Sequence, residues 1–98
     1  MTKANKIIDA VVLSSGVTID ELMSGSRKRR VSLPRQMAAY LIRKNTELSY
    51  QKVADRLNLN EPSTVKVAFK TIEGQIEFKQ PDTTSLYEET LIILGDGK

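Results

Sequence analysis

The chain has 98 residues, which is enough for one hydrophobic core and too few for a multidomain enzyme. Hydrophobic residues make up 40% of it and charged residues 28%, a composition typical of a folded globular domain. It contains no cysteine and no histidine, which removes disulfides, thiol chemistry and the usual zinc ligands, so we predict no metal and no cofactor. No apolar run approaches the roughly 18 to 20 residues that cross a membrane. We therefore expect a soluble, cytoplasmic protein.

The first two predicted elements are helices. Apolar residues recur at helical spacing between Thr2 and Leu13, which predicts a first helix that ends between Ser14 and Gly16. Thr18 and Glu21 then have the spacing of a capping box, in which each side chain accepts a hydrogen bond from the backbone amide of the other. A short second helix should therefore run from there through Met23 and stop at Gly25.

The middle of the chain is strongly basic. Residues 22–46 carry seven basic side chains and no acidic one, so with a net charge of +3 the rest of the chain must sum to −4. Four of the seven are consecutive, at 27–30, in a stretch without apolar periodicity that we predict to be a basic loop. Pro34 fits the first turn of a third, central helix that ends near Asn45. Loops and helix N-termini both bind phosphates, but a solvated surface cluster or a nuclear-import signal would have the same composition.

Two further helices are predicted to form a helix-turn-helix. Ser49 is the expected N-cap of a helix of roughly nine residues, which residues 58–60 end. The next helix should begin near Pro62 or Ser63 and run to about Phe78. Its outer face carries hydroxyl, valine and lysine side chains without a carboxylate, which suits a DNA major groove. The alternative without a DNA contact is that these lysines form the solvent-exposed face of a helix that packs on the core, and that the valine is exposed without a function.

The C-terminal part of the chain is acidic. Residues 73–98 carry six acidic side chains against two basic ones. Residues 82–85 offer several N-caps for a final helix, and Ser85 with Glu88 forms a second capping-box pattern, although the apolar run at 90–94 also fits a strand. We predict an all-α bundle of about five to six helices, with a helix-turn-helix domain at 1–79 and an acidic, helical extension at 80–98. Whether this extension docks on the basic loop and competes with DNA stays open.

Several stretches resemble the C-terminal DNA-binding domain of the bacterial replication initiator DnaA. They are residues 17–23, the basic loop, 33–41, 48–49, 53–54 and 63–65, and the run Pro-Arg-Gln-Met-Ala at 34–38 is the most specific of them. The resemblance implies an all-helical fold with a helix-turn-helix like that of the Trp repressor. It also implies an arginine of the basic loop in the minor groove and a recognition helix in the major groove.

The resemblance assigns roles by position. Arg27 matches the minor-groove arginine, Arg35 and Gln36 match a phosphate- and base-proximal pair, and Ser63 and Thr64 match a hydroxyl pair at the start of the recognition helix. The sequence departs from the family just before that pair, where it has Asn-Leu-Asn-Glu-Pro at 58–62 in place of Gly-Gly-Arg-Asp-His. Glu61 and Pro62 thus replace two base-reading residues, and a proline cannot donate a hydrogen bond.

We predict a non-enzymatic module that binds double-stranded DNA with a sequence preference, because no phosphate-binding glycine motif and no histidine base occur. The predicted phosphate contacts are Arg27, Lys28, Arg29, Arg30, Arg35 and Lys70, and the predicted base contacts are Gln36, Ser63, Thr64, Lys66 and Val67.

The alternative is a module that binds an initiator or another replication protein through residues 81–94, and RNA binding is a weaker third. Neither a membrane nor a small-molecule substrate is predicted as a partner. A monomer in a bacterial or phage-infected cytoplasm is the preferred interpretation, and Met1 favours a complete small protein over an excised domain.

Overall fold

The computed structural model describes residues 2–95, and within that range the chain forms six α-helices and no strand. They are α1 (Lys3–Ser15), α2 (Ile19–Leu22), α3 (Arg29–Asn45), α4 (Tyr50–Arg56), α5 (Pro62–Glu77) and α6 (Pro81–Leu94). The predicted all-helical class is confirmed. The strand alternative at 90–94 is wrong, because these residues continue α6. Met1 and the last three residues of the predicted extension lie outside the described residues.

Local capping places the first two helices as predicted. The Thr2 hydroxyl accepts from the Asn5 amide at 3.2 Å, and Gly16 ends α1 in the left-handed conformation (φ 80°) that glycine adopts without strain. The capping box of α2 is present in both directions, with 3.1 Å from the Glu21 amide to Thr18 Oγ1 and 3.0 Å from the Thr18 amide to Glu21 Oε1. Short-range hydrogen bonds alone therefore locate both helices.

Helix α3 is the centre of the fold and contacts each of the other five helices. Its buried face includes Met37, Leu41 and Ile42, as the apolar periodicity predicts. Its predicted start is wrong: α3 begins at Arg29, and Pro34 is the sixth residue of the helix rather than part of its first turn. Val31 and Leu33 are both buried in the core, so tertiary packing favours the earlier start over the local signal of Pro34.

The helix-turn-helix consists of α4 and α5. The Ser49 hydroxyl caps α4 by accepting from the Lys52 amide at 3.2 Å, as predicted. The helix is seven residues long instead of nine, and five residues instead of three connect it to α5. The difference arises because Leu57 is fully buried and Asn58 turns the chain with a φ of 57°, a conformation that asparagine tolerates. The turn therefore has its own buried anchor.

Helix α6 packs on α1, α3 and α5. Thr83 and Thr90 are fully buried on its inner face, and the Thr90 hydroxyl shares a hydrogen bond of 2.7 Å with the Ser14 hydroxyl of α1. The predicted capping box at Ser85 is wrong, since α6 already begins at Pro81 with Gln80 as its N-cap. The division into a domain at 1–79 and an extension at 80–98 stays a prediction. None of the described helices is long and apolar enough to cross a membrane.

Candidate nucleic-acid interface

A cleft of about 320 Å³ lies between α3 and the first two turns of α5. Five of the predicted DNA-binding residues line it, together with small and apolar neighbours. Its walls are Ser32, Arg35, Gln36, Ala39, Leu59, Ser63, Thr64, Val67 and Ala68. None of these side chains is acidic. The fold thus brings the α3 pair and the start of α5, which are almost 30 residues apart in the sequence, onto one face.

The outer face of α5 is available to a partner. Ser63, Thr64, Lys66, Val67 and Lys70 are all exposed, and the opposite face is buried in the core. Val67 is 63% exposed, although it is a large apolar residue. The helix begins at Pro62 without a side-chain cap, and residues 61–64 are exposed, so its N-terminal dipole end, which stabilises anions, is open to solvent.

Gln36 carries an unpaired polar atom beside this cleft. Its side-chain carbonyl Oε1 is buried and has no hydrogen-bond partner among the described residues. Buried polar atoms in folded proteins are almost always paired, so an unpaired one at a cleft indicates a position where a bound donor would be favourable. Gln36 thus lies at the cleft, and its base-proximal role stays a prediction.

The four consecutive basic residues are not equivalent. Arg27 and Lys28 are exposed and make no ion pair within residues 2–95. In contrast, Arg29 Nε donates to Asp82 of α6 at 3.0 Å, and Arg30 pairs with Glu21 of α2. The predicted basic loop is therefore shorter, because Arg29 and Arg30 already belong to α3.

The carboxylates of both pairs are stabilised in their charged form. The hydrogen bond from Arg30, followed by that from the Thr18 amide, lowers the pKa of Glu21 from 4.5 to about 2. The hydrogen bond from Arg29 likewise lowers the pKa of Asp82. Both acids are ionised at neutral pH, and both would have to give up their arginine to a phosphate for that arginine to contact DNA.

Arg35 faces the protein more than the solvent. Its guanidinium donates three hydrogen bonds to backbone carbonyls of the segment that joins α2 to α3. Three of its five N–H groups are thus used inside the chain. Burial lowers the pKa of Arg35, but an arginine stays protonated at any physiological pH.

Sequence reasoning raised contact between the acidic extension and the basic loop, but it named neither Asp82 nor Glu21 as the partner of an arginine. Asp82 lies 53 residues from Arg29, and no pattern in the sequence pairs them beyond the opposite charge of the two segments. Arg43 belongs to the basic stretch but does not line the cleft. Its guanidinium lies 4.6 Å from the centre of the Tyr50 ring, next to the N-terminus of α4.

Comparison with known proteins identifies the fold. Residues 4–72 match the family model of the bacterial DnaA protein helix-turn-helix. The chain belongs to this family. The DnaA helix-turn-helix is the DNA-binding, origin-recognition domain of the initiator and is not itself catalytic. The match ends within α5, so α6 lies beyond it.

Several curated relatives are chromosomal replication initiator proteins DnaA. The chain is 33% identical to the protein of Gloeobacter violaceus over 82 residues, which is 84% of this chain and 18% of the relative. It is 33% identical to the protein of a Synechocystis species over 78 residues, which is 80% of this chain and 17% of the relative. It is 29% identical to the protein of Gloeothece citriformis over 90 residues, which is 92% of this chain and 19% of the relative. The chain thus spans less than a fifth of the length of these DnaA relatives.

Proposed function

We propose that this chain is a non-enzymatic module that binds double-stranded DNA with a sequence preference. In this proposal, Arg27 enters or approaches the minor groove while α5 lies in the major groove. The observation that carries it is the cleft between α3 and α5, which joins the α3 pair and the hydroxyl pair of α5 on one surface. Glu61 accepts a hydrogen bond from the Ser63 hydroxyl at its edge. The DnaA relatives support a bacterial cytoplasm and a role at a replication origin, which belong to the same proposal.

Phosphate contacts would supply most of the affinity. Arg27, Lys28 and Lys70 are exposed and unpaired within residues 2–95, so they can bind phosphates without losing an internal contact. Arg29 and Arg30 can join them only by exchanging a carboxylate for a phosphate, and Arg35 only through its two remaining N–H groups. Each phosphate contact releases counterions, which makes the affinity depend on salt.

Base contacts would come from Gln36, Ser63, Thr64, Lys66 and Val67. The exposed Val67 side chain suits the methyl group of a thymine, and the hydroxyls suit either base edge. Pro62 cannot make the contact of the histidine that it replaces. We therefore expect a preference that overlaps the DnaA box but is weaker at the position that this histidine reads.

A second candidate function rests on α6. Ile92 and Ile93 are 70% and 44% exposed, which favours contact with another protein of the replication machinery. Salt distinguishes the two, because phosphate contacts weaken steeply with ionic strength and an apolar protein contact hardly responds. Titration of a labelled duplex with the protein at two salt concentrations is therefore the test. Failure to bind the duplex at the lower salt concentration would overturn the proposal and leave the α6 function.

The pair between Asp82 and Arg29 makes α6 a weak competitor of DNA. We expect Asp82→Asn to tighten binding to a scrambled duplex by about 1.5- to 5-fold at low salt, since the pair is half-exposed and such pairs contribute little. Glu88→Gln is the matched control, because it makes the same charge change on an exposed residue of the same helix that has no ion pair within residues 2–95. An equal effect of both substitutions would show that only net charge matters.

A further inference from the structure

The segment that carries Arg27 has no buried side chain of its own. Between Leu22 and Arg29 every residue is exposed or half-buried, and one of them is Gly25. Met23, at its start, packs partly against the core, and the residues from Ser24 to Lys28 add no apolar side chain. Hydrogen bonds therefore contribute most to holding the backbone of this segment.

Arg35 provides three of these bonds at once. Its Nε donates to the Leu22 carbonyl at 2.9 Å, its Nη2 to the Ser24 carbonyl at 2.7 Å and its Nη1 to the Ser26 carbonyl at 2.9 Å. The first carbonyl is at the end of α2, where helical carbonyls lack intrahelical partners, and the other two precede Arg27 at every second residue. The planar guanidinium spans all three, which a lysine ammonium cannot do.

Arg35 also joins this segment to the recognition surface. It projects from α3, where it follows the buried Pro34, and it lines the cleft with Ser63, Thr64 and Val67 of α5. Arg35 is thus a direct link between the segment and the surface that α5 forms.

We infer that Arg35 is a positioning residue that holds residues 22–26 so that Arg27 is presented on the same face as α5. This inference rests on the proposed DNA binding and adds that Arg35 acts on DNA binding through the position of Arg27. It differs from a phosphate contact made by Arg35 itself, since the two roles predict different couplings with Arg27.

A double-mutant cycle separates the roles. Arg35→Lys keeps the positive charge but cannot bridge three carbonyls, so we expect it to weaken binding to duplex DNA about five- to tenfold when Arg27 is present. In an Arg27→Ala background the same substitution should change the affinity less than about twofold, because the residue on which it acts is gone. A phosphate contact would instead give losses that add.

Arg43→Lys is the matched control, since Arg43 lies on the same helix and contacts Tyr50 instead of the segment. Its effect should add to that of Arg27→Ala. Asn58→Gly is an independent second variant: it removes the hydrogen bond from Asn58 Nδ2 to the Met23 carbonyl, 3.1 Å long, and glycine keeps the left-handed turn. It should show the same dependence on Arg27 as Arg35→Lys.

Heteronuclear NOEs of the free protein give a readout that needs no DNA. We expect lower values at residues 23–28 in Arg35→Lys than in the parent chain and unchanged values in α3 and α5. Additive losses, or unchanged binding in Arg35→Lys, would overturn the inference while leaving the DNA binding intact. A parent chain that binds no duplex would overturn the proposed function, and this inference with it.

Discussion

Arg27→Ala is expected to weaken binding to a preferred duplex by about 1–3 kcal/mol, which is roughly 5- to 150-fold. Arg27 is exposed and has no ion pair within residues 2–95, so the loss measures contact with DNA and includes no broken internal bond. A large effect is expected because an arginine in a groove donates hydrogen bonds to base edges, whereas an arginine at the DNA backbone contributes mainly its charge.

The measurement is a pair of titrations, one with the preferred duplex and one with a scrambled duplex. Arg56→Ala is the control, because it removes the same charge from a side chain that donates to Asn5 of α1 at 2.8 Å, away from the cleft. A greater loss on the preferred duplex supports groove readout by Arg27. Equal losses on both duplexes would reduce its role to a phosphate contact, and unchanged affinity would remove it from the interface.

Ile72→Ala is expected to lower the free energy of unfolding by about 2–5 kcal/mol. Ile72 is fully buried on the face of α5 that packs against the core, and truncation would leave a cavity there. A domain of this size is stable by only about 5–15 kcal/mol, so the substitution removes a large part of its stability. Binding should weaken as well, because α5 carries the predicted base contacts.

Denaturant unfolding of the two variants Ile72→Ala and Ile72→Val measures this effect. The valine variant keeps most of the side chain and should lose only about 0.5–1.5 kcal/mol. Equal stability of the parent chain and the alanine variant would mean that α5 does not depend on this contact for its position. It would contradict the packing of the recognition helix described above.

The sequence predicts best those helices whose ends depend on hydrogen bonds between residues close together in the sequence. The Thr18–Glu21 capping box and the Ser49 cap each act over three residues, and the structure contains both. The start of α3 was predicted too late, because Pro34 matches a helix start locally while burial of Val31 decides the outcome through tertiary packing. Local chemistry predicts a boundary only where tertiary contacts agree with it.

The predicted site shows the same limit. Composition and the likeness to DnaA are enough to select basic and hydroxyl residues as candidates, and five of the predicted residues line one cleft. The pairing of Arg29 with Asp82 and the three bonds of Arg35 depend on contacts between helices, and no periodicity encodes them. The sequence therefore predicts which residues are candidates for DNA binding. It does not predict that some of them are already engaged inside the protein.

The most direct test of DNA binding through this face is fluorescence anisotropy of a duplex with the DnaA box and of a scrambled duplex, each at about 50 mM and about 200 mM salt. We expect tighter binding to the box. We also expect the affinity to fall about 40-fold between the two salt concentrations if Arg27, Lys28 and Lys70 alone contact phosphates, and about a thousandfold or more if all six predicted cations do. Undetectable binding at the lower salt concentration, or an affinity that does not change with salt, would contradict DNA binding by this domain.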